Sequence, residues 1–274
     1  MDILPVVCGV VPPVALASLA ATRWGARAIA PAAALGALVA HSLLFWRLPT
    51  WPHQLWAQPA GVEWMLWGLL TAAVVRLGGR VGAACDAALA AAVVWLLTLK
   101  VGASWTITER SLHLGGAAAV AWLLAHGARR IAVPTCGSLV PWIGASLLLS
   151  VDAAVLTFGK SALLGQLAGA FAAAMGAAAG ARLLWRRDLT FSPIMAGFVA
   201  LTHVVLLAAG PTLSYLPWRE AGLAVAGPAL LWLLPSAFAE RRPSLAAVLA
   251  AVLPLLPGAI AVWLLLGEAD PYGG

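Results

Sequence analysis

An all-α integral membrane bundle of about ten helices is the fold class this sequence predicts, on three observations. Of 274 residues, 63% are apolar and only 26 are charged, 16 Lys or Arg with 10 Asp or Glu, where a soluble chain of this length carries roughly 68. Apolar runs of near membrane-spanning length follow one another from end to end. The basic residues between those runs fall alternately into dense and sparse groups. A soluble fold needs charge to cover its surface, so a mean hydropathy of +0.96 with 9% charge excludes a cytosolic enzyme, a secreted domain and a disordered chain.

The runs, bounded by charge, Pro or Trp clusters, cover 4–22, 28–46, 62–77, 81–101, 112–127, 137–158, 161–185, 191–210, 221–238 and 244–266. Crossing a hydrocarbon layer of about 30 Å at 1.5 Å per residue takes roughly 20 residues, so the third and fifth must extend into flanking positions. The junction from Thr157 to Ser161 is short enough to make helices six and seven a hairpin. The first run, with Ala15-Leu16-Ala17, imitates a signal peptide. Asp2 stands where a positive segment belongs, and the run is expected to stay as a helix. The chain is expected to form a single transmembrane domain with no soluble one.

Loop charge orients the bundle. Odd-numbered loops hold eleven basic residues (Arg23, Arg27, Arg76, Arg80, Arg129, Arg130, Arg182, Arg186, Arg187, Arg241, Arg242) and even-numbered loops five (Arg47, Lys100, Arg110, Lys160, Arg219). Basic residues accumulate on the cytoplasmic side, which predicts a cell (inner) membrane protein with both termini extracytoplasmic. Nine of the fourteen Trp lie at the opposite ends of the runs, as indole's preference for the headgroup layer requires. The Trp- and Pro-rich stretch 47–61 belongs against that outer surface. The net charge of +6 is spread singly and in pairs, so no basic stripe points to nucleic acid. The partner implied is the lipid bilayer, with further subunits or copies of the chain as additional candidates.

Small residues let membrane helices approach closely. Gly165, Gly169, Gly176 and Gly180 form two GxxxG steps that predict a central helix seven. Helices two and eight echo one another: Pro31, His41 and Pro49-Thr50 match Pro193, His203 and Pro211-Thr212 at a constant offset of 162. Both run in the same direction, so helices two to four and eight to ten are candidates for a parallel repeat.

An ionisable group inside the hydrocarbon layer costs about 2.5–3.5 kcal/mol and is a functional candidate by default. His41 and His203 fall about 15–18 Å from the inner helix ends, and Asp152 about 21 Å. The three form a candidate substrate or proton site, with Asp152 expected to pair with Lys100 or Lys160. The histidines are either neutral hydrogen-bonders, a proton or substrate pair, or the ligands of a haem b. Lys100, Glu109, His113 and Lys160 form an outer polar cluster. Prolines inside the runs (Pro12, Pro13, Pro141, Pro228, Pro235, Pro254, Pro257) free carbonyls that can face an ion or solute. Cys8, Cys85 and Cys136 form no metal-binding spacing, and no paired-aspartate or His-box motif marks a catalytic site. Gly144-Ala145-Ser146 with His203 is similar to a rhomboid protease dyad, but Leu147 follows the serine where glycine is needed.

The function these features favour is transport of a small or lipid-soluble solute through a midplane polar site. The alternatives are a membrane subunit, possible carrier of haem, that docks partners through its Trp-rich face, and a membrane enzyme acting on lipid.

Overall fold

The computed structural model describes residues 4–46, 50–51, 61–79, 82–98, 105–135, 139–185 and 189–268. These are all helix, turn and coil, without a strand. The helices are α1 (Leu4–Arg23), α2 (Ile29–Leu44), α3 (Gly61–Val75), α4 (Ala83–Thr98), α5 (Ile107–Thr135), α6 (Val140–Phe158), α7 (Ala162–Leu184), α8 (Pro193–Leu213), α9 (Trp218–Val225), α10 (Ser236–Arg241), α11 (Pro243–Val252) and α12 (Leu255–Glu268). Among the described residues, six helical stretches are long and apolar enough to cross a membrane: Ala26–Leu44, Gly61–Gly78, Val140–Phe158, Ala162–Leu184, Pro193–Leu213 and Pro243–Gly267.

The first eight predicted runs each coincide with one helix, and the ends are chemically determined. Ser161 caps α7 by accepting from the Leu164 amide, and Ser192 caps α8 at Met195, with Pro193 at the first helical position. Gly159, Lys160 and Ser161 turn α7 back on α6, with Lys160 at φ +63°. α5 is much longer than its predicted 112–127, because the charges that bounded that run are absorbed by the helix. Thr106 and Glu109 bond reciprocally as a capping box at its start, while Arg129 and Arg130 turn inward to partners at its end.

The last two runs are interrupted. α9 stops at Val225 and gives way at Gly227–Leu233 to a 3-10 helix carrying Pro228, and α11 and α12 are separated at Leu253 and Pro254. The two breaks touch, since a Cβ on Gly227 would collide with the Pro254 carbonyl.

α8 occupies the centre, packed by α3, α4, α5, α6, α7 and α9. It is 83% buried, against 61% for α7, so the most enclosed helix is the eighth and the small-residue seventh lies beside it against α1, α2 and α6. The α7 glycines do not act as one face. A Cβ at Gly165 would collide with Thr157 of α6, and one at Gly176 would lie 3.2 Å from Ser146 Oγ, whereas Gly169 and Gly180 have nothing within 4 Å. Eleven residues return a helix to within about 20°, but four turn it about 40° past a full circle, off the line of closest approach.

The two ends of the bundle differ. At one, Arg76, Arg129, Arg130 and Arg182 gather around the starts of α4, α6 and α8, and the 3-10 turns Ala26–Ala28 and Arg76–Gly78 meet. At the other lie the stacked pair Trp51 and Trp67 and the group Trp105, His113 and Trp218.

Candidate functional site

Asp152 and His203 are both 0% exposed and bonded to each other across the α6–α8 contact, with His203 Nδ1 2.8 Å and 3.0 Å from the two carboxylate oxygens. His203 lies midway along α8 and Asp152 in the second half of α6, so the pair sits deep within the bundle. The other ring nitrogen, Nε2, faces the Val225 carbonyl at 3.4 Å. Val225 is the last residue of α9, and the chain leaves helical geometry directly after it. Both ring nitrogens therefore face acceptors, a carboxylate at Nδ1 and a carbonyl at Nε2, and each is placed where a ring N–H can donate.

Two clefts lie on either side of this pair along the bundle, and neither Asp152 nor His203 is among their lining residues. The first, of about 80 Å³, lies toward the arginine end and is lined by Leu148, Phe191, Val199, Ala200, Pro228 and Pro254 among others. The second, of about 210 Å³, lies toward the tryptophan end between α4, α5, α8 and α9, where Thr98, His113, Val204, Trp218 and Val225 help to line it. Leu148 precedes Asp152 by one helical turn and Val199 and Ala200 precede His203 by one, so the walls of the first cleft stand one turn from the pair on the same helix faces. Val204 and Val225 then bring the second cleft to its other side.

A second buried carboxylate lies in the first turn of α4. Both oxygens of Asp86 are bonded, one to Arg76 and one to Arg129, and its side chain is fully buried. Arg76 also donates to the Ala72 carbonyl at 2.6 Å and lies 5.7 Å from the centre of the Phe198 ring. Gly197 admits this triad against α8: a Cβ there would stand 2.6 Å from Arg129 Nη2 and 2.7 Å from Asp86 Oδ2.

The candidates from sequence distribute as follows. Asp152 pairs with His203 rather than a lysine; Lys160 is exposed in the α6–α7 turn, and Lys100 lies outside the described residues. His41 is buried in α2 against Phe45, with ring centres 4.8 Å apart, while both nitrogens of His203 face groups other than His41. Of the outer polar residues, Glu109 and His113 stand one helical turn apart on α5 and each has further partners. Glu109 caps α5, where the Thr106 amide and then its hydroxyl hold the carboxyl below the usual range; His113 stacks on Trp105, with centres 4.3 Å apart, and meets Trp218 at 5.0 Å. Ser146 donates to the Ala172 carbonyl at 2.9 Å, well away from His203.

Sequence reading missed the Val225 carbonyl as a partner of the pair, although Pro228 and Pro254 had marked both interruptions. It also missed Arg130, whose guanidinium donates to the Leu234 carbonyl at 2.8 Å and lies over Trp232 at 4.9 Å, holding the end of the 3-10 segment. Among the described residues, no group of three His, Cys, Asp or Glu side chains is placed to hold a metal ion. The chain matches no protein-family model, and comparison with curated proteins and with solved structures likewise gives no match.

Proposed function

We propose that this chain is a polytopic membrane transporter for a small solute with an apolar body, working through the Asp152–His203 pair. The observation that carries the reading is the position of that pair: a buried, hydrogen-bonded couple beside a broken helix, with a cleft one helical turn away toward the arginine end and another beside Val204 and Val225 toward the tryptophan end. Irregular backbone at membrane depth is tolerated where it is buried in protein or lines a cavity, and paired broken helices are where carriers place their sites. The apolar walls of both clefts favour a lipid-soluble solute over a sugar or a peptide.

The same reading carries ten crossings, with α9 and its 3-10 extension forming the ninth and α11 with α12 the tenth. The arginine end faces the cytoplasm of a cell membrane, leaving both termini outside. The echo between helices two and eight counts as support for a parallel repeat, since both carry a proline in their first turn and bury a histidine. A reporter fused after Gly274 tests the orientation, because a cytoplasm-active fusion contradicts it.

Transport itself is tested with single cysteines in a background lacking Cys8, Cys85 and Cys136. Ala200→Cys in the first cleft should react with a membrane-impermeant maleimide from the arginine side, and Ala208→Cys in the second cleft from the tryptophan side. Opening one side should protect the other. Reaction of both from one side defeats the reading. Reaction of neither favours a static subunit docking partners through its Trp-rich end, and a Soret band on the purified protein would support its haem-bearing form.

A further inference from the structure

Resting on that reading of the pair as the transport site, we infer that the solute is a lipophilic amine, bound as its ammonium in exchange for the proton shared by Asp152 and His203. Removing the shared proton leaves one net negative charge at a fully buried position, which is costly unless another cation takes its place. One positive charge must therefore always be present, as a proton or as a ligand.

The backbone decides the sign of that ligand. A helix ends in carbonyls that carry partial negative charge and begins in amides that carry partial positive charge. At the break beside the pair the carbonyl end is intact: Val225 ends α9 with its carbonyl toward His203 Nε2. The amide ends are depleted by proline. Pro228 opens the 3-10 segment, and Pro254 and Pro257 occupy the start of α12, so three positions that would offer an N–H to an anion have none. Carboxylate, carbonyl and missing amides together make an acceptor-rich centre that suits a cation and gives an anion little to bind.

The clefts supply the remainder of the solute's chemistry. The first is lined by Ala, Val, Leu, Ile, Pro, Phe and Gly, with no charged or hydroxyl-bearing side chain among its lining residues. It accepts a hydrocarbon body and discriminates against one carrying further polar groups, which would be left unpaired. As the ammonium reaches Asp152, the shared proton leaves toward water, so the charge of the centre is unchanged and one cation is exchanged for another.

The experiment compares three probes with one body and different heads, hexylamine, hexanol and hexanoate, titrated into the purified chain in lipid nanodiscs with empty nanodiscs as reference. Hexylamine should bind best and release about one proton per molecule bound, read with a pH dye in weak buffer. Asp152→Asn should weaken hexylamine about tenfold or more, the effect of losing one charge-assisted hydrogen bond, and abolish the proton release. Equal binding of hexanol, binding of hexanoate with proton uptake, or binding of no probe each overturns the inference. The two cysteine positions of the transport test are read without any amine, so failure here with reciprocal labelling intact leaves a carrier of another solute. The probe comparison and proton count are made on the unaltered chain, and they decide the matter even where Asp152→Asn does not fold.

Discussion

Asp86 and Asp152 are both fully buried carboxylates in an apolar bundle, and both touch α8, yet their surroundings give them different work. Asp86 is held by two guanidiniums at the arginine end, with both oxygens engaged and a glycine, Gly197, cut to admit them. An arginine does not give up its proton, so this triad has a fixed charge and nothing to exchange. Asp152 meets a single imidazole, the one side chain whose ordinary proton affinity is balanced near neutral pH, and a carbonyl at a helix break completes the set. A buried acid clamped by two fixed charges at a helix end is suited to locking the fold, whereas the proposed function needs the other acid to meet a group that can gain and lose a proton, as an imidazole does.

The comparison breaks most visibly at Asp86. Asp86→Ala leaves two guanidiniums facing each other with no counter-charge, Arg76 among them at 3% exposure, and should cost about 3–5 kcal/mol. The expected outcome is loss of monodisperse protein on size exclusion and a collapsed thermal transition in detergent. A variant that remains folded and within about 1 kcal/mol of the parent would remove the lock from the argument. Gly197→Ala should cost less, about 1–3 kcal/mol, because its Cβ displaces Arg129 and Asp86 without deleting either. Gly169→Ala is the matched control: with nothing within 4 Å of the new methyl, it should leave the transition unmoved or raise it slightly.

How much of this was readable beforehand follows from what each residue's neighbours are. The helical runs were legible because the bilayer imposes a length and the loops carry charge, and the arginine and tryptophan ends separate in space as they alternate in sequence. The limits of α5 were not legible: Arg129 and Glu109 look like loop residues until Asp86 and Thr106 are seen to receive them. His203 and Asp152 were both singled out, but 51 positions separate them, and nothing in either helix names the other as its partner. Composition therefore led Asp152 toward a lysine. The break at Val225 was half visible, since Pro228 was noted as an interruption while the carbonyl it frees has no side-chain signature.

Asp152→Asn sharpens the comparison from the other side. The amide keeps the size of the carboxylate and still offers Nδ1 a hydrogen-bonding group, so stability should fall by about 1 kcal/mol, well short of the Asp86 effect. Exchange of protons with solute should vanish all the same. Parallel thermal scans and proton-release titrations on the two variants give the test, with opposite ranking of the two losses as the expected result. Equal destabilisation by Asp152→Asn and Asp86→Ala would mean that both carboxylates are locks.

The smallest effect belongs to the exposed counterpart of these buried acids, Glu109, which caps α5 in front of the tryptophan-end cleft. Its carboxyl accepts from the Thr106 amide at 2.7 Å and from the Thr106 hydroxyl at 2.9 Å, and the Thr106 hydroxyl accepts from the Glu109 amide. These bonds favour the ionised form and hold its proton affinity below that of a free glutamate. The contribution is therefore fully present above the unfolded-state value and fades as pH falls through the lower folded-state value. Glu109→Gln keeps an acceptor for Thr106 but has no proton to gain, so it should flatten this part of the acid limb and leave neutral-pH stability almost unchanged. Amide hydrogen exchange in the first turn of α5, followed from neutral to acid pH in both proteins, reads the difference directly. Identical pH dependence in the two would show that this carboxylate takes no part in any titration of the fold.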